Sequence, residues 1–265
     1  MPLLAELAGD GPVLSRTMIV VAHPDDETIA IGAQLCRFGD ALLLHVTDGA
    51  PRDGADTRAH GFSTLADYAA ARRRELAAAL EAGEAHGVRT AMFGVPDKDA
   101  FLDLVGLSRR LVPWLRREQP EAVVTHAYEG GHPDHDAAAF AVHAACRLIS
   151  AEQRISIVES PISHAEGGAM VTGHFLSDDR DELVVLLRDA ACRRKRRMLD
   201  CFVTQRQTLA CFAAPGPERF RLAPAYDFRA PPHPGTLLYE TYDWGIGGDD
   251  WRRRAASAFV ALGLD

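Results

Sequence analysis

The chain alternates between short continuous apolar runs and longer segments whose apolar residues recur at helical spacing. RTMIVVA at 16–22, ALLLHVT at 41–47, TAMFGV at 90–95 and EAVVTHA at 121–127 are short and bounded by turn residues. Runs of this kind predict strands buried on both faces. Between them lie DETIAIGAQLCRFG at 26–39, closed by Gly39, and an Ala/Arg/Glu-rich stretch at 64–86 with Ala, Leu and Tyr on one side. A segment from about 101 to 118, kinked or divided by Pro113, and HDAAAFAVHAACRLI at 135–149 follow. These predict helices. Regular alternation of strand and helix predicts an α/β, Rossmann-like fold: a mostly parallel sheet with helices on both faces.

The last third is less regular. ISIVES at 155–160 and LVVLL at 183–187 predict strands, and 189–203 predicts a helix. From 213 onward Pro, Gly and aromatic residues dominate, which predicts loops folded over the sheet edge or a pocket rim. Repeats, low-complexity linkers and breaks in composition are all absent. Residues 1–265 are therefore expected to form a single domain.

Composition narrows the classes. Hydrophobic residues make up 47% and charged residues 25%, enough for a core without disulfides. The net charge of −8, from 29 basic and 37 acidic residues, argues against a nucleic-acid partner. Cys36, Cys146, Cys192, Cys201 and Cys211 are odd in number, scattered and free of C-x-x-C, as expected of reduced thiols. MPLLAELAGDGP has no basic leader and only a short apolar run, and no stretch approaches the about 20 apolar residues of a membrane span. A cytoplasmic protein, possible as a homo-oligomer, is the expectation. G-x-G-x-x-G, Walker A and G-x-S-x-G are absent, which removes support for nucleotide-dependent and serine-esterase chemistry.

Two clusters carry chemistry. AHPDDE, Ala22 to Glu27, sits where the first strand gives way to a helix; GGHPDHD, Gly130 to Asp136, follows the strand EAVVTHA. Both fall at carboxyl ends of predicted parallel strands, the edge where open α/β sheets bind ligands. Zinc favours imidazole and carboxylate ligands, and a catalytic site keeps three protein ligands and one open position. His23 and Asp26, three apart on a tight turn, can converge on one ion, with either His132 or His135 completing the set. Adjacent side chains in an extended turn point apart, so one of Asp25 and Asp26 is left free to face a water. Zinc lowers the pKa of such a water to about 7, and amide hydrolysis also needs a partner for the developing oxyanion. Asp134 is either an acceptor that orients one of the flanking histidines or a helix N-cap.

A-H-P-D-D-E followed about a hundred residues later by H-P-D-H resembles the PIG-L/LmbE-like deacetylases. That family includes N-acetylglucosaminyl-phosphatidylinositol deacetylases, mycothiol- and bacillithiol-pathway deacetylases, and deacetylases of antibiotic pathways. The resemblance spans both motifs and the strand–helix order to about residue 150, and extends more faintly to Lys195–Gln205. It implies a zinc-dependent N-deacetylase of an amino-sugar-like small molecule, with His23, Asp26 and His135 as ligands. Asp25 would be the general base and His132 the residue that stabilises the tetrahedral intermediate. It further implies that Arg72 and Asp97 contact sugar hydroxyls. Iron(II) or cobalt would suit the same ligands. Some relatives carry a tyrosine two residues before the first His of H-P-D-H; here Gly130 stands there, and Tyr128 is four before. Competing readings are a metalloamidase or esterase acting on a non-sugar acyl group, and a zinc-binding protein without catalysis.

Other polar residues read as structural. His45, His126 and His143 fall inside predicted strands or helices, and Arg193–Arg197 reads as a solvated helix face. His164, His174 and His233 have no assigned role.

Overall fold

The computed structural model describes residues 2–176, 180–212 and 215–264. Its helices are α1 (Pro2–Ala8), α2 (Asp26–Ile31), α3 (Ala55–Ala59), α4 (Leu65–Ala82), α5 (Leu104–Glu118), α6 (Pro133–Leu148), α7 (Asp189–Asp200) and α8 (Gly248–Leu262). Its strands are β1 (Thr17–Val21), β2 (Ala41–Thr47), β3 (Val88–Val95), β4 (Ala122–His126), β5 (Ser156–Ser160), β6 (Ser163–Glu166), β7 (Ala169–Thr172), β8 (Leu183–Val185) and β9 (Glu218–Leu222). Seven strands form one sheet in the order β3-β2-β1-β4-β5-β9-β8, and β6 and β7 form a separate hairpin. The first five strands of that order run parallel; β9 pairs antiparallel with β5, and β8 pairs antiparallel with β9, so that β9 alone of the seven is reversed.

β1 shows why helices cover both faces. Its side chains alternate, so Met18 and Val20 join one buried cluster and Ile19 and Val21 the other. The first cluster receives Leu107, Leu111 and Leu115 of α5, Phe140 of α6 and Trp251 of α8. The second receives Leu7 of α1, Leu76 and Leu80 of α4, and Met198 and Leu199 of α7. The expected mostly parallel α/β architecture is therefore the observed one.

Several local expectations differ. The helix expected over 26–39 stops at Ile31 and is followed by a turn and a short 3-10 segment, Leu35–Arg37. Glu218 explains the change: its carboxylate accepts the Ala33 backbone N–H at 2.8 Å and the Gln34 amide at 3.0 Å, and pairs with Lys195 at 2.7 Å. α5 runs undivided through Pro113, after a 3-10 turn at Ala100–Asp103 capped by Asp103 onto Gly106 N–H. In the stretch from 213, Ala213 and Ala214 lie outside the described residues; the rest holds β9 and α8 as well as loops. The β6–β7 hairpin was not expected. It turns at Gly167-Gly168, both at positive φ, as a tight two-residue turn requires. All five cysteines are free thiols, and no helix among the described residues is long and apolar enough to cross a membrane.

Candidate active site

β1 pairs with β2 on one side and β4 on the other, so the chain reverses its direction of winding between β1 and β4. The two motifs leave the sheet at this switch point, where diverging loops open a crevice. The crevice is a cavity of about 590 Å³, and His23, Asp25, Asp26, Asp97, His132 and His135 line one end of it.

Asp26 ties the motifs together. Its Oδ2 accepts the His23 backbone N–H at 2.7 Å and lies 3.2 Å from His23 Nδ1, while its Oδ1 lies 3.2 Å from His135 Nε2. Ligand atoms held at about 2.0–2.1 Å around a tetrahedral ion are separated by roughly 3.3 Å; each spacing matches that value by itself, and the two use different oxygens of Asp26. Among the described residues three overlapping groups have spacing that could hold a metal, His23/His132/His135, His23/Asp97/His132/Asp134 and Asp26/His126/His135; the expected trio His23, Asp26 and His135 is split between the first and the third. Hydrogen bonding discriminates among their members. His126 Nε2 accepts the Ala22 backbone N–H at 2.9 Å, so its lone pair is taken. His132 Nδ1 accepts the Asp134 backbone N–H at 3.1 Å, capping α6, so the neutral ring carries its proton on Nε2. Asp134 accepts backbone N–H groups of Lys98 at 2.6 Å and Ala100 at 3.0 Å.

Charge points the same way. Asp97 Oδ1 and Asp134 Oδ2 lie 3.0 and 3.3 Å from His23 Nε2, on the side of the ring away from Asp26. Burial alone would depress His23, but Asp97 and Asp26 outweigh it and hold the imidazole well above its usual range. Burial raises the Asp26 carboxyl, yet His135, His126 and His23 together pull it well below the usual carboxylate range. Such a cluster of carboxylates calls for positive charge, and its mixed imidazole–carboxylate donors match a divalent cation.

Asp25 faces the same cavity in an unusual conformation. Its φ of 134° is disfavoured for any residue with a Cβ. The Glu27 carboxylate holds it by accepting the Asp25 backbone N–H at 3.0 Å, and is held in turn by His45 Nε2 at 3.0 Å and Thr28 Oγ1 at 2.6 Å. Burial pushes the Asp25 carboxyl up to about 8, against the opposing charge of Arg72. His132 is shifted the other way: burial, with His23 and His135 nearby, holds it well below its usual range and hence neutral.

Two expected substrate contacts have protein partners here. Arg72 was expected to reach sugar hydroxyls, but it is buried and its Nη atoms donate to Gly49 O at 3.1 Å, Pro24 O at 2.7 Å and Asp25 Oδ2 at 3.1 Å. Asp97 sits among the histidines, 3.0 Å from His23 Nε2 and 3.8 Å from His132 Nε2. The Asp134 carboxylate contacts His23, while its backbone N–H donates to His132, which is the α6 N-cap. Sequence reasoning left Glu27 without a role and placed His45 and His126 as core residues. Both histidines are indeed buried, but each is hydrogen-bonded to a motif residue or its backbone.

Known proteins resemble this chain in sequence and in fold. Residues 18–146 match the model of a family described as PIG-L, GlcNAc-PI de-N-acetylase. A 1D-myo-inositol 2-acetamido-2-deoxy-alpha-D-glucopyranoside deacetylase 2 from Saccharopolyspora erythraea is 33% identical over 145 residues, covering 46% of this chain and 52% of the relative. The chain spans about half the length of the curated relatives it matches. A deacetylase of teicoplanin biosynthesis, solved with bog, superposes with a TM-score of 0.60 at 18% identity, over 80% of this chain and 100% of that one. The 4-carboxy-2-hydroxymuconate hydratase of Pseudomonas putida superposes with a TM-score of 0.53 at 18% identity, over 80% and 96%. At such identities the likeness is one of fold, and this fold carries more than one reaction. Residues 18–146, which carry both H-P-D motifs at the ends of adjacent strands, are thus similar to the PIG-L family.

Proposed function

We propose that this protein is a metal-dependent hydrolase that removes an N-acetyl or other N-acyl group from an amino-sugar-like small molecule, working as one domain over residues 1–265. The observation that carries the reading is the gathering, at one sheet edge, of His23, Asp26, His132 and His135, which fall in overlapping groups with metal-compatible spacing, around a cavity that Asp25 also lines. The relative from Saccharopolyspora erythraea is named as a deacetylase of an acetamido sugar, which supports the same substrate class.

His23, Asp26 and His135 would hold the ion, zinc or equally iron(II) or cobalt. Once bound, the ion would polarise the amide carbonyl and bring a water's pKa to about 7. With Arg72 and a bound cation beside it to hold the buried carboxylate ionised, Asp25 would take the proton of the attacking water and pass it to the leaving nitrogen. Arg72 and the Glu27–His45 pair keep that carboxylate aimed into the cavity. His132 donates its Nε2–H to the developing oxyanion, fixed in that tautomer by the Asp134 N–H. Asp97 and Asp134 hold the far nitrogen of His23 and so set the ring's orientation. Asp97 has a second role in the proposal, accepting from a sugar hydroxyl at the cavity wall, while Arg72 acts through Asp25.

The test is a panel of N-acetylated amino sugars, glycosides and simple acyl amides, with free amine and acetate both measured for the zinc-loaded protein. Equimolar amine and acetate from the sugars alone supports the reading. Release from the simple amides alone would transfer the protein to a non-sugar amidase class. Zinc binding with no amine from any compound would leave a binding protein.

A further inference from the structure

The cavity is much larger than the catalytic cluster at its end. Its His132 side is aromatic: the Trp244 ring lies 5.0 Å from the His132 ring, centroid to centroid, and Tyr242 stacks on Trp244 at 4.6 Å and 22°. Ile162, Leu209, Phe212 and Leu238 continue the apolar lining, and Met170 and Tyr242 remain 43% and 42% exposed at the mouth. Gln205, also on the wall, is already committed, donating to Tyr68 OH at 2.7 Å and Thr204 O at 3.0 Å. The Lys98 ammonium lies 4.7 Å from the Trp244 centroid. A fixed backbone holds Lys98 there: its N–H bonds to Asp134 and its φ is 70°.

We infer that the Trp244–Tyr242 wall is a subsite for an apolar group, aryl or alkyl, carried by the N-acylated sugar beside the scissile amide. This rests on the deacylase reading above and adds the class of substrate. The wall is continuous with the reaction centre, so its occupant belongs to the molecule being cleaved. A polyol in that place would give up water for indole, phenol and aliphatic carbon, leaving hydroxyls without partners. An apolar ring or chain would instead bury its surface against them. The cavity volume is in the range that holds a ligand of more than one ring. Two sources supply the same chemistry: a hydrophobic aglycone, or an acyl tail longer than acetyl.

The experiment compares kcat/KM of the zinc-loaded protein on three substrates: free N-acetylglucosamine, its phenyl glycoside, and free N-butyrylglucosamine. The phenyl/free ratio reads the aglycone arm, and the butyryl/acetyl ratio the acyl arm. At least one ratio is expected to exceed tenfold in the wild type, to fall toward one in Trp244→Ala, and to be kept largely in Trp244→Phe. Because each ratio is internal to one preparation, partial misfolding of a variant cancels. Turnover of free N-acetylglucosamine with both ratios near one, or with ratios unmoved by Trp244→Ala, overturns the subsite and leaves the deacylase reading standing. Absence of amine from all three substrates defeats the reading itself, and the subsite with it.

Discussion

Arg72 Nη2 lies 3.1 Å from Asp25 Oδ2, and both side chains are buried. The same guanidinium bonds to the carbonyls of Gly49 and Pro24, so it fixes the loop as well as the charge of the residue it faces. Removing one member of a buried pair typically costs about 3–5 kcal/mol, because the other is left uncompensated. Arg72→Ala is therefore expected to lower the melting temperature and to cut kcat by about 10–100-fold, with zinc content per folded molecule unchanged. Arg72→Lys should not recover kcat, since one ammonium cannot reach three acceptors in a planar fork. Steady-state kinetics with metal analysis checks this; wild-type kcat in the Lys variant contradicts it.

His132 is neutral and pinned as the Nε2–H tautomer by the Asp134 backbone. A neutral donor does not depend on an imidazolium. His132→Ala is expected to lower kcat by about 10²–10³. His132→Gln, which keeps an N–H donor at comparable reach, should retain more activity. The basic limb of its kcat/KM profile should stay where the wild type has it. A basic limb that disappears in the Gln variant would show that protonated His132 is the working form.

Metal dependence is tested by chelation. Activity should vanish on removal of divalent ions and return with zinc, iron(II) or cobalt. His23→Ala, Asp26→Ala and His135→Ala should each lose metal and turnover together, whereas His126→Ala should weaken binding without abolishing it. Stoichiometric zinc in His135→Ala would remove that residue from the ligand set.

Gly131 packs so tightly that a Cβ there would come within 1.8 Å of Ser163 O. Gly131→Ala must push the His132 loop and the β6–β7 hairpin apart. Overpacking of this kind costs about 1–3 kcal/mol, and the displaced residue is the neighbour of His132. Lower urea stability with a larger loss of kcat than of stability is expected.

Burial alone lowers His143 from 6.5 to about 4. Its ring is half-buried against Tyr226 and Phe228, and its Nε2 has no hydrogen-bond partner among the described residues. The folded-state value is depressed, so the stability it contributes is present above pH 6.5 and is lost as pH falls toward 4. The loss is of order 1–3 kcal/mol. His143→Phe should flatten the stability–pH slope between 6.5 and 4 in urea titrations. Parallel slopes for variant and wild type would contradict this.

The sequence made the parallel core legible because its strands are uninterrupted apolar runs and its two H-P-D clusters lie at strand ends. It concealed what depends on distant partners. Nothing local announces that Glu218 will stop the helix after Ile31, or that Arg72, one of three consecutive arginines, is the one that turns inward to Asp25. α8 did leave a signal: Trp251, Ala255, Ala258, Phe259 and Leu262 recur at helical spacing, with Asp250 paired to Arg254. The Pro- and Gly-rich stretch before it masked that pattern. Gly167-Gly168 was likewise a readable turn signal, although the flanking SHAE and AMVT carry no clear strand pattern.

The central claim, that Asp25 is the base of a metal-dependent deacylation, is tested most directly by Asp25→Asn. The measurement is amine release from N-acetylglucosamine or its phenyl glycoside, with zinc counted in the same samples. Asn preserves size and the backbone contact to Glu27 but cannot accept the proton. Zinc content equal to wild type with turnover lowered by about 10²–10⁴ is the predicted result. Turnover close to wild type, or inactivity that tracks loss of zinc, would contradict it.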